Sequence, residues 1–376
     1  IGADLAGANA AVSHTGAGTL ALLGANTYDS GTVVGGGGVL SYTSIADSGS
    51  ACALGLNNLL DLKNGTYQYS GPTATNSRTF QFSALSGTPV WNVENATTYT
   101  TLTLTADFVG GTNGGAAGAR TIGLNVNCAA DSGSAAILKM LGSIPDITPT
   151  NSTTVVAGGA SGYPVFNGGV VGLLNENNTF SGAVQVKYAR TLQSMSLADV
   201  NVPCSIGLGT NPPAGTAPII IGSTDSMRGG TLAYIGTNDA SCDRQLCVEG
   251  VNFGGQSGAT IVNNSPNNSS VHFSCTQPVI YYAGVLVSNC FFTLGGTANA
   301  LNTFDLQITN TPLGDAALMV RGSSWRLTAA HSYAGNTLVT GGTLLVSGSL
   351  GGNALTNTGG TLGSSAAITR PGSIQS

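Results

Sequence analysis

The sequence contains very little charge. Asp, Glu, Lys and Arg make up 7% of its 376 residues, whereas a typical soluble domain has about 25%. The net charge is −5 and no basic cluster is visible, so we expect no nucleic-acid partner. No segment reaches the roughly 18 apolar residues that span a bilayer, so we expect no membrane span. Disorder is disfavoured, because 41% of the residues are hydrophobic and disordered chains combine low hydrophobicity with high net charge.

Residues that hold metals or catalyse reactions are also scarce. The three histidines, His14, His272 and His331, lie far apart in sequence, and the chain has no CxxC pair. Zinc sites need ligands that are closer together than these. The four glycines at 35–38 are not followed by Lys-Ser or Lys-Thr, which indicates a turn rather than a phosphate-binding loop. We therefore expect no metal site, no cofactor and no catalytic residues.

Seven cysteines raise the question of disulfides. They are Cys52, Cys128, Cys204, Cys242, Cys247, Cys275 and Cys290. In a secreted chain such residues form bridges, and the odd count leaves one of them unpaired. We predict local bridges Cys242–Cys247 and Cys275–Cys290, while buried free thiols are an equal alternative for Cys52 and Cys204.

What the chain does contain is a long-period repeat. The segment that begins Asn26-Thr27-Tyr28 recurs at Asn178-Thr179-Phe180 and, in part, at Ser332-Tyr333, so that the three aromatic residues are separated by 152 and 153 residues. Further matches in the same order join Cys52 to Cys204, Gly55 to Gly207, and Arg78 to Arg244. We predict three parts: module 1 at 1–165, module 2 at 166–325, and a partial third module with a C-terminal tail at 326–376.

The local pattern predicts strands. Segments such as Thr19-Leu20-Ala21-Leu22 alternate polar and apolar residues, and glycine turns separate them every 6 to 12 residues. Strands this short, repeated over a long period without intervening helices, favour an all-β parallel β-helix, or β-solenoid, built from repeated modules. In such a fold Tyr28, Phe180 and Tyr333 are core or stacking residues. We expect the five donors of Arg78 and Arg244 to satisfy turn carbonyls between rungs.

These blocks resemble the autotransporter-associated β-strand repeat, also called the passenger-associated transport repeat. The resemblance lies in the Asn-Thr-Tyr/Phe…Gly…Thr-x-Val pattern, followed by Gly65-Thr66-Tyr67-Gln68-Tyr69-Ser70-Gly71 and then Asn76-Ser77-Arg78-Thr79-Phe80. It touches most of 15–110, 170–290 and 325–350. It implies an extracellular bacterial surface protein with a right-handed β-helical passenger.

An enzymatic alternative depends on carboxylates. The densest acidic group is Asp225, Asp239, Asp243 and Glu249. Glycosidase chemistry needs two carboxyl groups about 5–10 Å apart, which neighbouring rungs of a solenoid could supply. The scarcity of charge makes a polysaccharide-cleaving enzyme the least favoured function.

The architecture suggests three functions. A solenoid whose ends carry no capping helix presents unpaired strand edges, and head-to-tail contact between such ends builds an open filament. We therefore predict a secreted structural protein that polymerises with itself into an extracellular filament or sheath. The alternative is an adhesin-type passenger on a bacterial surface, with cell-surface glycans as a further possible partner. The N-terminal Ile suggests that a leader has been removed or that the chain has been trimmed.

Overall fold

The computed structural model of the protein describes most of the chain, and every regular element in the described part is a β-strand. Backbone contacts divide the chain into two units, Ile1–Gly182 and Ala183–Ser376. The described residues are 1–2, 4–83, 87–95, 100–110, 120–128, 136–146, 152–158, 169–188, 190–223, 229–249, 258–281, 290–312, 314–364 and 373–375.

Unit 1 contains fifteen of the described strands. They are β1 (Ala11–His14), β2 (Thr19–Leu22), β3 (Gly31–Val34), β4 (Val39–Tyr42), β5 (Leu59–Leu62), β6 (Thr66–Tyr69), β7 (Ala74–Asn76), β8 (Thr79–Phe82), β9 (Val90–Asn95), β10 (Thr101–Leu104), β11 (Phe108–Gly110), β12 (Arg120–Cys128), β13 (Ile137–Met140), β14 (Thr153–Ala157) and β15 (Val170–Leu173).

These strands form three parallel ladders. Their orders are β1-β3-β5-β8-β11, β2-β4-β6-β9-β12-β14 and β7-β10-β13-β15. Neighbours in a ladder come from successive passes of the chain, as in the register Leu20–Leu40–Tyr67–Trp91 of the second ladder. Parallel pairing between successive coils is the defining feature of a β-solenoid.

Unit 2 contains sixteen described strands. They are β16 (Val184–Val186), β17 (Thr191–Ser194), β18 (Ile219–Gly222), β19 (Gly230–Tyr234), β20 (Ala240–Cys242), β21 (Leu246–Glu249), β22 (Gly258–Asn263), β23 (Val271–Phe273), β24 (Ile280–Tyr281), β25 (Cys290–Phe304), β26 (Ala316–Leu327), β27 (Thr337–Val339), β28 (Thr343–Val346), β29 (Ala354–Asn357), β30 (Thr361–Ser364) and β31 (Ser373–Gln375).

The ladders of unit 2 are also parallel. One has the order β16-β18-β21-β24, and another runs β17-β19-β22-β25-β26-β27-β29-β31. The strands β25 and β26 are long enough to pair with two sets of neighbours: β20 and β23 join at the end of β25, and β28 and β30 continue from the end of β26. The register between β25 and β26 shifts between Gly296 and Leu301, where the two sets meet.

The core lies inside the coils and combines aromatic clusters with aliphatic columns. Inward-facing positions of unit 1 carry a cluster of aromatic rings: Tyr42, Tyr67, Tyr69, Phe80, Phe82, Trp91 and Phe108. One inward column of unit 2 is aliphatic, with one residue from each successive rung: Leu192, Leu232, Ile261, Leu294, Val320 and Val339. Each fully buried aliphatic side chain contributes about 1.5–3 kcal/mol, so stacked coils stabilise one another.

The prediction of an all-β parallel β-solenoid is confirmed. The predicted modules at 1–165, 166–325 and 326–376 describe sequence repetition rather than backbone contacts, and they stay a prediction.

Candidate functional site

The repeated arginine Arg78 lies in a cage of backbone carbonyls. Its side chain is fully buried and its Nε, Nη1 and Nη2 donate to the carbonyls of Ala46, Leu54 and Gly55 at 2.7, 3.0 and 2.6 Å. Longer contacts reach the carbonyls of Asp47 and Ser50 and the Sγ of Cys52. The guanidinium thus holds together the loop at 44–55.

Arg244 makes the same contacts in unit 2. Its Nε, Nη1 and Nη2 donate to the carbonyls of Ala198, Ile206 and Gly207 at 2.9, 2.9 and 2.6 Å. Longer contacts again reach two carbonyls and a thiol, those of Asp199, Val202 and Cys204. Because every acceptor is an internal group of the loop, these arginines are structural and offer no donor to a ligand.

Glycine is required where each caged loop closes. Gly55 and Gly207 have φ angles of +71° and +72°, in the left-handed region that favours glycine. A Cβ at Gly55 would lie 2.5 Å from the carbonyl oxygen of Tyr28.

The repeated aromatic residues are buried in the core. Tyr28, Phe180 and Tyr333 are all at most 1% exposed. The hydroxyl of Tyr28 is 2.8 Å from Oγ1 of Thr32, and the hydroxyl of Tyr333 is 2.6 Å from Oγ1 of Thr337. These rings are positioned by packing and by a local hydrogen bond, and they do not form a ligand platform.

Six cysteines are described, and all are buried free thiols. They are Cys52, Cys204, Cys242, Cys247, Cys275 and Cys290. The expected bridges Cys242–Cys247 and Cys275–Cys290 are not formed. Cys242 lies opposite Phe273 in one ladder, whereas Cys247 lies between Ile220 and Ile280 in another. Burial raises the pKa of Cys242, Cys247 and Cys290 to about 12, so these thiols are protonated and unreactive at neutral pH. The side chain of Cys128 lies outside the described residues.

The acidic group singled out in the sequence is dispersed. Asp239 and Asp243 lie beyond opposite ends of β20, which separates them by about 13 Å of extended chain. Glu249 is buried at the end of β21, where it accepts a hydrogen bond from Gln185 at 2.7 Å. Asp225 lies outside the described residues.

The two exposed aspartates hold turns rather than a reaction centre. Oδ1 of Asp239 accepts bonds from the backbone N–H of Ser270 at 2.6 Å and from its hydroxyl at 3.0 Å. These two hydrogen bonds, the one from the backbone N–H more than the one from the hydroxyl, hold the pKa of Asp239 below its usual value. Oδ1 of Asp243 accepts from the N–H of Val200 at 2.7 Å. Within the described part of the chain, no three His, Cys, Asp or Glu side chains are grouped so that they could hold a metal ion.

The structure brings together a different polar group, on the surface of unit 2. Nε2 of His272 lies 2.7 Å from Oδ2 of Asp305, and the hydroxyl of Thr328 donates to Oδ1 of the same carboxylate at 2.5 Å. The three residues come from successive rungs, because β23, β25 and β26 are neighbours in one ladder. The carboxylate is therefore held in one orientation while its side chain stays partly exposed.

An open depression of about 480 Å³ lies beside this carboxylate. It is lined by Thr276, Asp305, Gln307, Thr328, Ala329 and Ala330. The amide of Gln307 is fixed in turn, since its Nε2 donates to the carbonyl of Ala330 at 2.6 Å. We call this depression with His272 the Asp305 site.

The Asp305 site could not be recognised from the sequence. His272 and Asp305 are 33 residues apart, and only the strand register, which places His272 opposite Thr303, brings them together. A constant rung length would have predicted that these two residues meet, but the long strands β25 and β26 make the rung length irregular in this part of the sequence.

Comparison with known proteins gives one result that bears on function. The chain is similar to an adhesin. It is 29% identical over 332 residues to the adhesin BmaC autotransporter of Brucella suis biovar 1 (strain 1330). The match covers 85% of this chain but 8% of that protein, so the chain spans less than a tenth of its relative's length.

No protein-family model matches the chain, and no solved structure matches it. The similarity and the parallel fold together fit a β-solenoid passenger, while the repeat type stays a prediction. No helix suited to crossing a membrane occurs in the described residues.

Proposed function

We propose that this chain is a segment of an adhesin-type passenger, displayed on a bacterial surface as a parallel β-solenoid. The observation that carries the proposal is the similarity to an autotransporter adhesin along 85% of the chain, on a structure whose described strands pair in parallel ladders. The low charge and the Thr- and Asn-rich outer positions give a neutral, hydrogen-bonding surface suited to contact with other surfaces.

The Asp305 site is the part of this surface best suited to a glycan. A fixed carboxylate, a fixed amide and two threonine hydroxyls accept and donate hydrogen bonds, and two alanine residues add apolar lining. None of the described residues that line the depression is Lys or Arg, so an uncharged saccharide fits it better than an anionic one. Charge-assisted hydrogen bonds to a carboxylate are about twice as strong as neutral ones, so Asp305 is the anchor of the proposed contact.

The adhesin function is tested by attaching the whole chain to fluorescent beads and counting the beads retained on cultured epithelial cells. We expect retention well above that of beads coated with an unrelated β-solenoid of similar charge. Retention equal to that control would overturn the adhesin proposal.

The glycan contact is tested separately, on an array of uncharged and sialylated oligosaccharides. Asp305→Asn and Gln307→Ala should each weaken binding to uncharged oligosaccharides by about tenfold or more, equivalent to at least 1.4 kcal/mol. The matched control is Asp61→Asn, because Asp61 is also a partly buried carboxylate held by a hydroxyl, that of Ser83 at 2.5 Å, with Lys63 nearby.

The two proposals fail in different ways. Cell binding that survives Asp305→Asn, with no array signal, would remove the glycan contact and leave the adhesin function standing.

The filament prediction stays open as well. The similarity favours the adhesin alternative, and particles that remain single at high concentration in negative-stain micrographs would count against polymerisation. The expectation that the chain is not an enzyme also stays a prediction.

A further inference from the structure

Three equivalent corners of the solenoid use a side chain to bind the backbone of the preceding rung. Each of these side chains lies two positions before a repeated aromatic residue: Asn26 before Tyr28, Asn178 before Phe180, and His331 before Tyr333. All three side chains are buried.

The three corners share an equivalent hydrogen bond from a backbone N–H to the corner side chain. The backbone N–H of Leu5 donates to Oδ1 of Asn26 at 2.7 Å, and the N–H of Ile144 donates to Oδ1 of Asn178 at 2.8 Å. The N–H of Ile308 donates to Nδ1 of His331 at 3.1 Å.

A second bond completes each corner. The carbonyls of Leu5, Ile144 and Ile308 accept from the N–H of the residue after the corner side chain, at 2.8, 3.1 and 3.0 Å. His331 therefore occupies the position of the corner asparagine, and its Nδ1 accepts the hydrogen bond that the amide oxygen accepts at the other two corners.

The imidazole can be protonated at moderately acidic pH, and the amide cannot. Because Nδ1 accepts a hydrogen bond, the neutral ring carries its proton on Nε2. Protonation would place a second N–H on Nδ1, facing the N–H of Ile308, and the bond would be lost. It would also bury a cation, since His331 is 4% exposed and its Nε2 has no hydrogen-bond partner among the described residues.

Among the described residues, no charged group contributes to the pKa of His331, for which burial is the only cause of the shift. The ring nearest to His331 is Tyr333, with centroids 6.2 Å apart, and this phenol is neutral throughout the acidic range. The rung that supplies Ile308 carries Asp305, whose carboxylate is bonded to His272 and Thr328.

The other two segments packed against His331 carry no charged side chain. The segment 347–350, whose Ser349 carbonyl accepts from the N–H of His331, has no titratable side chain. The segment 275–279 on the other side of the rung holds only the thiol of Cys275, and burial raises its pKa. Burial is accordingly the cause that lowers the pKa of His331 to about 4.

We propose that His331 makes its corner of unit 2 acid-labile: protonation of the ring breaks the bond to Ile308 and opens the rungs at 305–350, while the corners built on Asn26 and Asn178 stay closed. Such a corner would open these rungs in an acidic environment while the rungs at the asparagine corners stay closed.

The direction and size of the effect follow from linkage. The open state has an ordinary histidine pKa near 6.5, so the contribution of the neutral ring is complete above that pH and is lost as the pH falls toward 4. Relative to pH 7, opening of this corner should increase about 20-fold at pH 5 and about 100-fold at pH 4.

The test is hydrogen exchange of the whole chain, read by peptide mass spectrometry at several pH values and corrected for intrinsic exchange rates. Peptides covering 305–350 should lose protection by these factors, and peptides covering the Asn26 corner should not. In His331→Asn, which restores the residue of the two other corners, the acid-dependent loss should disappear. His14→Gln changes a partly exposed histidine of unit 1 and should leave the loss unchanged.

Equal acid-dependent opening in His331→Asn and in the unaltered chain would overturn the proposal. A second measurement does not depend on the variant: with three histidines in the chain, proton NMR resolves each ring, and titration of His331 near 6.5 would also overturn it.

Discussion

The outward-facing rows of the two units differ in chemistry although each contains buried residues, Asn92 and Asn125 in one row and Ile220 and Cys247 in the other. In unit 1, the row Ser41–Gln68–Asn92–Asn125 places amides on successive rungs. In unit 2, the row that follows Gln185 is Ile220–Cys247–Ile280.

The amide row of unit 1 is stabilised by hydrogen bonds along the rungs. The side chain of Asn125 donates to Oδ1 of Asn92 and to Oδ1 of Asn127, both at 3.0 Å. Asn92 and Asn127 in turn donate to Oε2 of Glu94 at 2.9 and 2.7 Å. These bonds offset much of the cost of burying the amides.

The apolar row of unit 2 is stabilised by packing. Ile220 and Cys247 form a cluster with Ala183 and Ala217, and the partly buried Ile280 packs against it. The comparison shows that the parallel backbone register accepts either solution, whereas the arginine cages are the same in both units. The parallel strand register and the arginine cages are therefore common to both units, whereas the residues of the outward-facing rows differ.

Removing either caged arginine is the largest expected perturbation. Arg78→Met and Arg244→Met each leave several buried carbonyls without donors, which should lower the free energy of unfolding by about 3–5 kcal/mol in urea denaturation. Lysine at these positions keeps the charge but has three donors instead of five, so its cost should be intermediate. Arg321 is exposed on β26, and Arg321→Met should change stability by less than about 0.5 kcal/mol. A large loss at one cage and a small loss at the other would show that the two are not equivalent.

Exchanging the chemistry of the outer rows should cost somewhat less. Ile220→Asn buries an amide without the partners available in unit 1, and we expect a loss of about 3 kcal/mol. Asn125→Leu leaves the side-chain oxygens of Asn92 and Asn127 without their donor, at about 2 kcal/mol. Val200→Asn, at an exposed position of unit 2, is the control and should be nearly neutral. If both exchanges also left the free energy of unfolding unchanged, the chemistry of each row would not depend on hydrogen-bond or packing partners within that row.

The smallest expected effect concerns the repeated aromatic residues. Where the ring is Tyr28 or Tyr333, the residue four positions later is a threonine, and where it is Phe180 that residue is Val184. Tyr28→Phe alone should cost about 1 kcal/mol, because the buried hydroxyl of Thr32 loses a partner at 2.8 Å. The double change with Thr32→Val should recover most of that loss, and the coupling is measured by a double-mutant cycle. Additive single losses would mean that the two hydroxyls are independent.

Part of the candidate site chemistry could not be predicted from spacing along the chain. The five residues from Cys242 to Cys247 suggest a local bridge, yet the chain turns a corner between β20 and β21 and the two thiols lie in different ladders. The third corner could not be recognised from the sequence either, because His331 stands where the other two corners have asparagine, and the two residue types do not match in a sequence alignment. The equivalence appears only when the bond to Ile308 is seen.

The amino-acid sequence by itself determined the strands, the turns and the stacking of coils. Alternation of polar and apolar residues decides which side chains face inward, and glycines at Gly55 and Gly207 permit φ angles that other residues resist. The tertiary structure alone decided which distant residues meet. Register between rungs brings His272 to Asp305 and closes the cages around Arg78 and Arg244, because residues some 20 to 45 positions apart become neighbours only when the coils stack.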